Sequence, residues 1–280
     1  MYQSTHTGAQ VDEAVDKVLA SPISVMSNRN LLDNPWFTVN QRGFTSTSTN
    51  NTYTADRWLA QNLRTNGVIS LTNGIVTIDA TNAVGGSVTF GQAVDEAEVG
   101  QRPVTLSVML SSGEIYSATG TIPARTASQQ TVIDSLIGTT QCYMRLYLRE
   151  TSAATPYLVQ FVVPIGATLA IKAVKLELGS VSTLANDTTP NYAEELAKCQ
   201  RYFTRMVGYF TAFRTASSAV PYEARVQFPV PMRATPTISN VAFVGSGSVD
   251  GTDAYQTMVR FYKTSETGFV VSSFNASADL

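Results

Sequence analysis

The sequence predicts a mainly β protein: a short N-terminal helix, a jelly-roll-like β-sandwich domain, then a smaller β domain opened by an amphipathic helix. Three observations carry that expectation. Short runs of alternating apolar and polar residues recur along the chain, separated by turn residues. Strand patterns do not alternate with long helical ones, so no parallel α/β sheet is expected. Near residue 180 the strand pattern stops, a polar Ser/Thr/Asn/Asp/Pro stretch intervenes, and a helical pattern opens a second region. The expected divisions are residues 1–30, an N-terminal helix and attachment segment; 31–180, the sandwich; 181–191, a linker; and 192–280, the smaller β domain.

Residues 7–20 read as a helix. Thr7 and Gln10 form a capping box, Val11, Ala14 and Val18 make an apolar stripe with Val15 alongside, and Ser21-Pro22 ends it. So short a helix is marginal alone, so its stripe must dock on its own domain, a symmetry mate or a larger particle. Within 31–178, alternation marks strands at 68–71, 75–78, 104–108 and 146–148. Asn73-Gly74 between two β-branched runs is a hairpin signal. Pro190, Asn191 and Glu194 then announce a helix whose Tyr192, Leu196, Cys199 and Phe203 share one face, read as packing surface. Further strands are expected at 224–230, 237–244, 255–262 and 268–274.

Charged residues make up 14% of the chain, against about 25% in ordinary soluble domains. Ser, Thr and Asn fill the difference, giving a hydroxyl- and amide-rich surface suited to a β protein working outside cells. The net charge is −2 with no basic block, which argues against a nucleic-acid partner. No signal sequence is expected at the N-terminus, and no apolar run reaches the roughly 18 residues of a membrane span, so no membrane insertion is expected. Cys142 and Cys199 read as two buried thiols or one long-range disulfide.

Chemistry is sparse. The one histidine, His6, provides no triad and no His-rich metal site, and no phosphate-binding glycine loop or CxxC pair occurs. Asp95, Glu96 and Glu98 in one stretch, and Asp250 and Asp253 in another, are the carboxylates that could serve glycoside chemistry. Adjacent acids in polar loops are usually just solvated surface. Asp250 with Asp253 could also help hold Ca²⁺. No enzyme activity, cofactor or metal is expected. Aromatics remain, because sugar rings stack on exposed aromatic faces. Trp36 and Trp58 are the candidate anchors, although both sit beside apolar strand residues and fit a core role. Tyr209 and Tyr222, with Phe210 and Phe213, could be core, interface or ligand surface. Arg57 reads as a structural ion-pair or hydrogen-bond donor.

Three segments together resemble a family of phage and prophage tail-fibre or receptor-binding proteins. Asn30–Gly43, with Asn34-Pro35-Trp36-Phe37 at its centre, followed by Tyr53–Trp58, is similar to the opening of the carbohydrate-binding-module-like sandwich in such proteins. Lys175–Gly179 resembles that sandwich's closing strand. Tyr192–Leu196 with Cys199–Phe203 resembles the helix opening the fibre's distal domain, and Phe228–Arg233 and Phe274–Leu280 match that domain further on. The family usually runs from the closing strand straight into a Thr-Pro-Phe-Glu-like segment; here Ser182–Pro190 replaces it.

The resemblance implies a non-enzymatic virion protein, commonly a homotrimer, assembled in the host cytoplasm and acting outside it. Its partners would be itself, other virion proteins through the N-terminal Val11, Ala14, Val15 and Val18, and host surface polysaccharide or glycan bound by the distal β domain as a receptor-binding tip. The alternative is a head fibre, capsid decoration or tail adaptor with no host ligand of its own. Three weak glycan sites on one particle would gain avidity through effective concentration.

Overall fold

Strands of alternating burial dominate the computed structural model, which describes residues 29–94, 101–213, 221–245, 247–264 and 268–279. The predicted N-terminal helix with Val11, Ala14, Val15 and Val18 lies outside the described residues, as do His6, Asp95, Glu96 and Glu98.

The first domain holds β1 (Ser46–Thr47), β2 (Thr52–Tyr53), β3 (Leu59–Asn62), β4 (Val68–Thr72), β5 (Ile75–Asp79) and β6 (Val88–Val94). It continues with β7 (Pro103–Leu110), β8 (Ile115–Thr121), β9 (Gln130–Leu136), β10 (Tyr143–Leu148), β11 (Tyr157–Val163) and β12 (Thr168–Leu178). These form two six-stranded antiparallel sheets, ordered β1-β4-β5-β12-β7-β8 and β2-β3-β6-β11-β10-β9. The chain passes repeatedly between them, as in a sandwich. The inward faces meet in one core. Ile69, Ile78, Leu106, Val108 and Leu176 come from the first sheet, and Phe90, Met144, Leu146, Val159 and Phe161 from the second. The Asn73-Gly74 hairpin forms as expected, with both residues in the left-handed region (φ 50° and 75°) that this two-residue turn demands.

The second domain opens with α1 (Tyr192–Gln200) and continues through β13 (Phe203–Thr211), β14 (Tyr222–Gln227), β15 (Thr237–Phe243), β16 (Gly251–Ala254), β17 (Met258–Lys263) and β18 (Val270–Ser277). Two three-stranded sheets, β13-β18-β15 and β14-β17-β16, enclose a small core. Edge-to-face rings hold its centre: Phe261 lies 5.1 Å and Phe210 5.8 Å from Phe274.

Two features of the second region differ from the sequence reading. The helix ends at Gln200, so Phe203 belongs to β13, and Tyr192 is exposed rather than packed. Cys199 is buried as expected, and the helix buries Glu195 beside it. Asn191 caps it, its side chain accepting from the Ala193 N–H at 2.9 Å. Residues 181–191 are not a free linker either. A 3-10 turn at Leu184–Asn186 buries Leu184 completely, and the segment is strapped to the outward side of β12 and β7. Ser107 donates to Ser182, and Glu177 accepts from both the amide and the hydroxyl of Thr183.

Two arginines fasten the second domain to the first. The Arg57 guanidinium lies 3.4 Å from the Tyr202 ring centroid while pairing with Asp33 at 3.0 Å and donating to the Ala93 carbonyl at 2.6 Å. Arg42 lies 3.6 Å from the Phe203 ring centroid and pairs with Asp56 and Asp279. Gln41 bridges Asp56 and the Phe203 carbonyl at 2.7 and 2.8 Å. Both Cys142 and Cys199 are buried free thiols; burial pushes the Cys199 thiol far above its ordinary range.

Burial also raises the carboxyls of Asp56 and Asp279 above the usual aspartate range, against the opposing pull of Gln41 and Arg42 on Asp56 and of Arg42 on Asp279. A carboxyl that binds its proton more tightly when folded adds stability below the unfolded value, near 3.9, and loses that contribution as pH rises through the folded value. Thermal unfolding should therefore show the Tm of wild type minus that of Asp56→Asn widening as pH falls from neutral towards about 4.

Candidate functional site

The loop from Asn30 to Thr38 is set by the edge of β12 that β5 leaves open. β5 pairs with β12 only over residues 168–171, and the loop takes over beyond them. Asn30 spans Val174 and Leu176, the Leu31 N–H donates to the Leu176 carbonyl, and the Val174 N–H donates to the Pro35 carbonyl. Asn34 then turns the chain with φ 51°, fully buried and fully satisfied. Its side chain bonds both backbone groups of Val39 and the Asp56 carbonyl, and its N–H donates to Glu195 at 2.8 Å.

Phe37 also takes a positive φ, 54°, unusual for a bulky residue and a mark of imposed strain. The turn sends Phe37 into the core, 5.2 Å from the Trp58 ring, and leaves Trp36 half-buried at the surface. Trp36 is where two hollows meet. One, about 390 Å³, lies between the loop, the strap and α1, and the other, about 540 Å³, between the loop, the β4–β5 hairpin and the strap. They share Trp36, Asp187 and Thr188. Each volume falls within the range of about 300–1,000 Å³ found for small-molecule sites. Lys172 stands 5.9 Å from the Trp36 ring centroid, and Asn73-Gly74 forms part of the second wall.

The groove is charge-balanced. Its described lining carries Arg29, Lys172, Lys198 and Arg201 against Asp33, Asp187, Glu194 and Glu195. Three of the acids are engaged: Asp33 by Arg57, Glu195 by Lys198, and Asp187 by Lys175 at 2.7 Å. Lys175 is completely buried and also donates to Thr183, with Glu177 3.8 Å away. It holds one Asp187 oxygen, Oδ1; the other has no partner among the described residues. Thr38 adds an orphan: its hydroxyl oxygen is buried beside the second hollow without a hydrogen-bond partner among the described residues.

The sequence candidates do not converge. Trp36 lies in the groove. Trp58 is corrected to a core residue: it is fully buried, stacks on Phe90 at 5.1 Å, and its indole N–H donates to the Asn34 carbonyl, so no sugar can reach it. Tyr209 is 82% exposed on the outward face of β13, away from the lining of either hollow. Tyr222 is half-buried on β14 against the second core. Asp250 is occupied by the amide and hydroxyl of Thr264, and Asp253 by Arg260 at 3.0 Å, so these two acids serve different partners. Asp187, Lys175 and Thr38 went unrecognised in the sequence; the polar Lys175 and Glu177 alternating with Val174 and Leu176 in a buried strand were their one signal. Comparison with family models, characterised proteins and solved structures found no match to this chain.

Removing one member of a buried ionic network strands the others, at a cost of about 3–5 kcal/mol. Lys175→Met should lower unfolding stability by roughly that amount and release the strap. Limited thermolysin digestion under native conditions should then cut beside Leu184 in the variant and leave wild type intact there. Asp187→Asn, which retains an oxygen for Lys175, should lose less than half as much.

Proposed function

We propose that this chain is a non-enzymatic attachment protein of a phage particle, binding glycan on the host surface through the groove at Trp36. The observation that carries the reading is the strained Asn34–Phe37 turn, which buries Phe37 and presents the neighbouring indole to solvent between two polar hollows. Backbone strain in a tightly hydrogen-bonded loop is characteristic of a ligand clamp. An aromatic face flanked by a carboxylate, an amide and hydroxyls fits the alternating apolar C–H and polar O–H faces of a pyranose. The site contains no nucleophile with an activating histidine among the described residues, and three of its four acids are held by cations, so the arrangement suits binding. Its place is on the virion, with the N-terminal segment attaching to other virion proteins and the chain acting as a homotrimer whose weak sites add by avidity. The sequence resemblance supports these assignments.

A second reading, a head fibre, decoration or adaptor without its own host ligand, has one observation in its favour. Val207, Tyr209 and Phe213 are 70%, 82% and 75% exposed in and just after β13, and apolar side chains so placed suit a contact with another virion protein.

Adsorption of fluorescently labelled protein to a panel of bacterial strains separates the readings. Trp36→Ala should fold with stability close to wild type and lose roughly tenfold or more in cell binding, the equivalent of about 1.4 kcal/mol. Trp58→Ala should lose about 3–5 kcal/mol of stability through its core cavity. Adsorption unchanged by Trp36→Ala but abolished by Tyr209→Ser would move the function to the β13 face.

A further inference from the structure

We infer that the groove takes an internal stretch of a neutral, hydroxyl-rich polysaccharide, several sugar units long, rather than an acidic glycan or a single terminal sugar. This rests on the attachment reading above and specifies its ligand.

The charge argument comes first. The four bases and four acids lining the two hollows cancel, so the groove offers a polyanion no net attraction. A ligand carboxylate near the ring would meet the unpartnered oxygen of Asp187. Two like charges at such close range repel strongly at a protein surface. That oxygen is held in place because Lys175, buried beneath it, fixes its twin at 2.7 Å. A rigid carboxylate oxygen beside an indole is an acceptor for a sugar hydroxyl. Asn73 adds an amide from the hairpin tip.

The shape argument gives the length. The hollows, about 390 and 540 Å³, are joined at Trp36, Asp187 and Thr188. Each alone is large enough for a small-molecule ligand, so a ligand crossing the indole occupies both. A polymer fits this path because one unit stacks at Trp36 while its neighbours reach Asn73 on one side and the loop–α1 hollow on the other.

Affinity electrophoresis of the full chain tests this, in gels cast with dextran, mannan or galactan, and with polygalacturonate or heparin. Retardation is expected with at least one neutral polymer and should persist, within about twofold, from 50 to 500 mM salt, where charge-driven binding would collapse. Asn73→Gly, which keeps the positive φ of the turn and removes the amide, should weaken it by about threefold or more without lowering Tm, and Trp36→Ala should abolish it. An oligosaccharide of four or more units from the retarding polymer should compete, and its monosaccharide should not. Retardation by acidic polymers alone, or lost at high salt, would overturn the neutral class while leaving attachment intact. Equal competition by the monosaccharide would overturn the polymer mode. No retardation by any polymer would overturn the inference, and failure to adsorb to any cell as well would remove the attachment reading with it.

Discussion

A guanidinium buried from water must find every partner inside the protein, and Arg57 finds partners that join three parts of the fold. Asp33 belongs to the groove loop, the Ala93 carbonyl to β6, and the Tyr202 ring to the start of the second domain. A buried charge of this kind adds little net stability when satisfied, but its neighbours cannot be rearranged without leaving it uncompensated. Arg57 therefore acts chiefly as a specifier of geometry. The loop carrying Trp36 is fixed to the sandwich and to the second domain by the same side chain. Glu195 repeats the arrangement from the other direction, since the α1 carboxylate that accepts from the Asn34 N–H is held by Lys198 on its own helix.

That constraint explains what was legible in the sequence. The strands and the Asn73-Gly74 hairpin could be read because alternation and turn chemistry are local, and the sandwich core then follows from which alternate residues are apolar. The α1 cap was readable for the same reason, Asn191 acting on an amide two residues away. The two tryptophans could not be separated, because both sit among apolar residues. What divides them is the sign of φ at Phe37, which sends that ring inward and leaves Trp36 out, and nothing in the identity of Phe37 announces it. β13 was missed because it follows a helix directly. Its alternation of Arg205, Val207 and Tyr209 outward with Met206 and Phe210 inward was masked by aromatics on both faces.

The strap shows a second limit. A segment rich in Ser, Thr, Asn and Asp reads as a linker because those residues satisfy turns and solvate well. Here their hydroxyls and carboxylates are used against β12 instead. The decisive partners, Lys175 and Glu177, sit in the strand before the strap and point away from the sandwich core. A polar pair on the outer face of a strand is ordinary when that face is wet, and it becomes a buried anchor only when the chain folds back over it. Burial of Leu184 supplies the apolar contact that makes the fold-back favourable.

The groove follows from these constraints acting together. Its walls come from the loop before β1, the β4–β5 hairpin, β12, the strap and α1, segments spread from Arg29 to Tyr202 along the chain. No one of them has an intrinsic reason to hold its conformation alone: the loop is strained at Phe37, the strap is polar, and a nine-residue helix is below the length that is stable in water. Each is held by groups from another, the loop by Glu195 and Arg57, the strap by Lys175, the helix by the packing of Cys199 and Tyr202. A site built this way leaves no compact motif in the sequence, yet presents its ligand with side chains already fixed. Such preorganisation limits the entropy lost on binding. It suits the proposed attachment role, in which individual contacts are weak and must be made repeatedly.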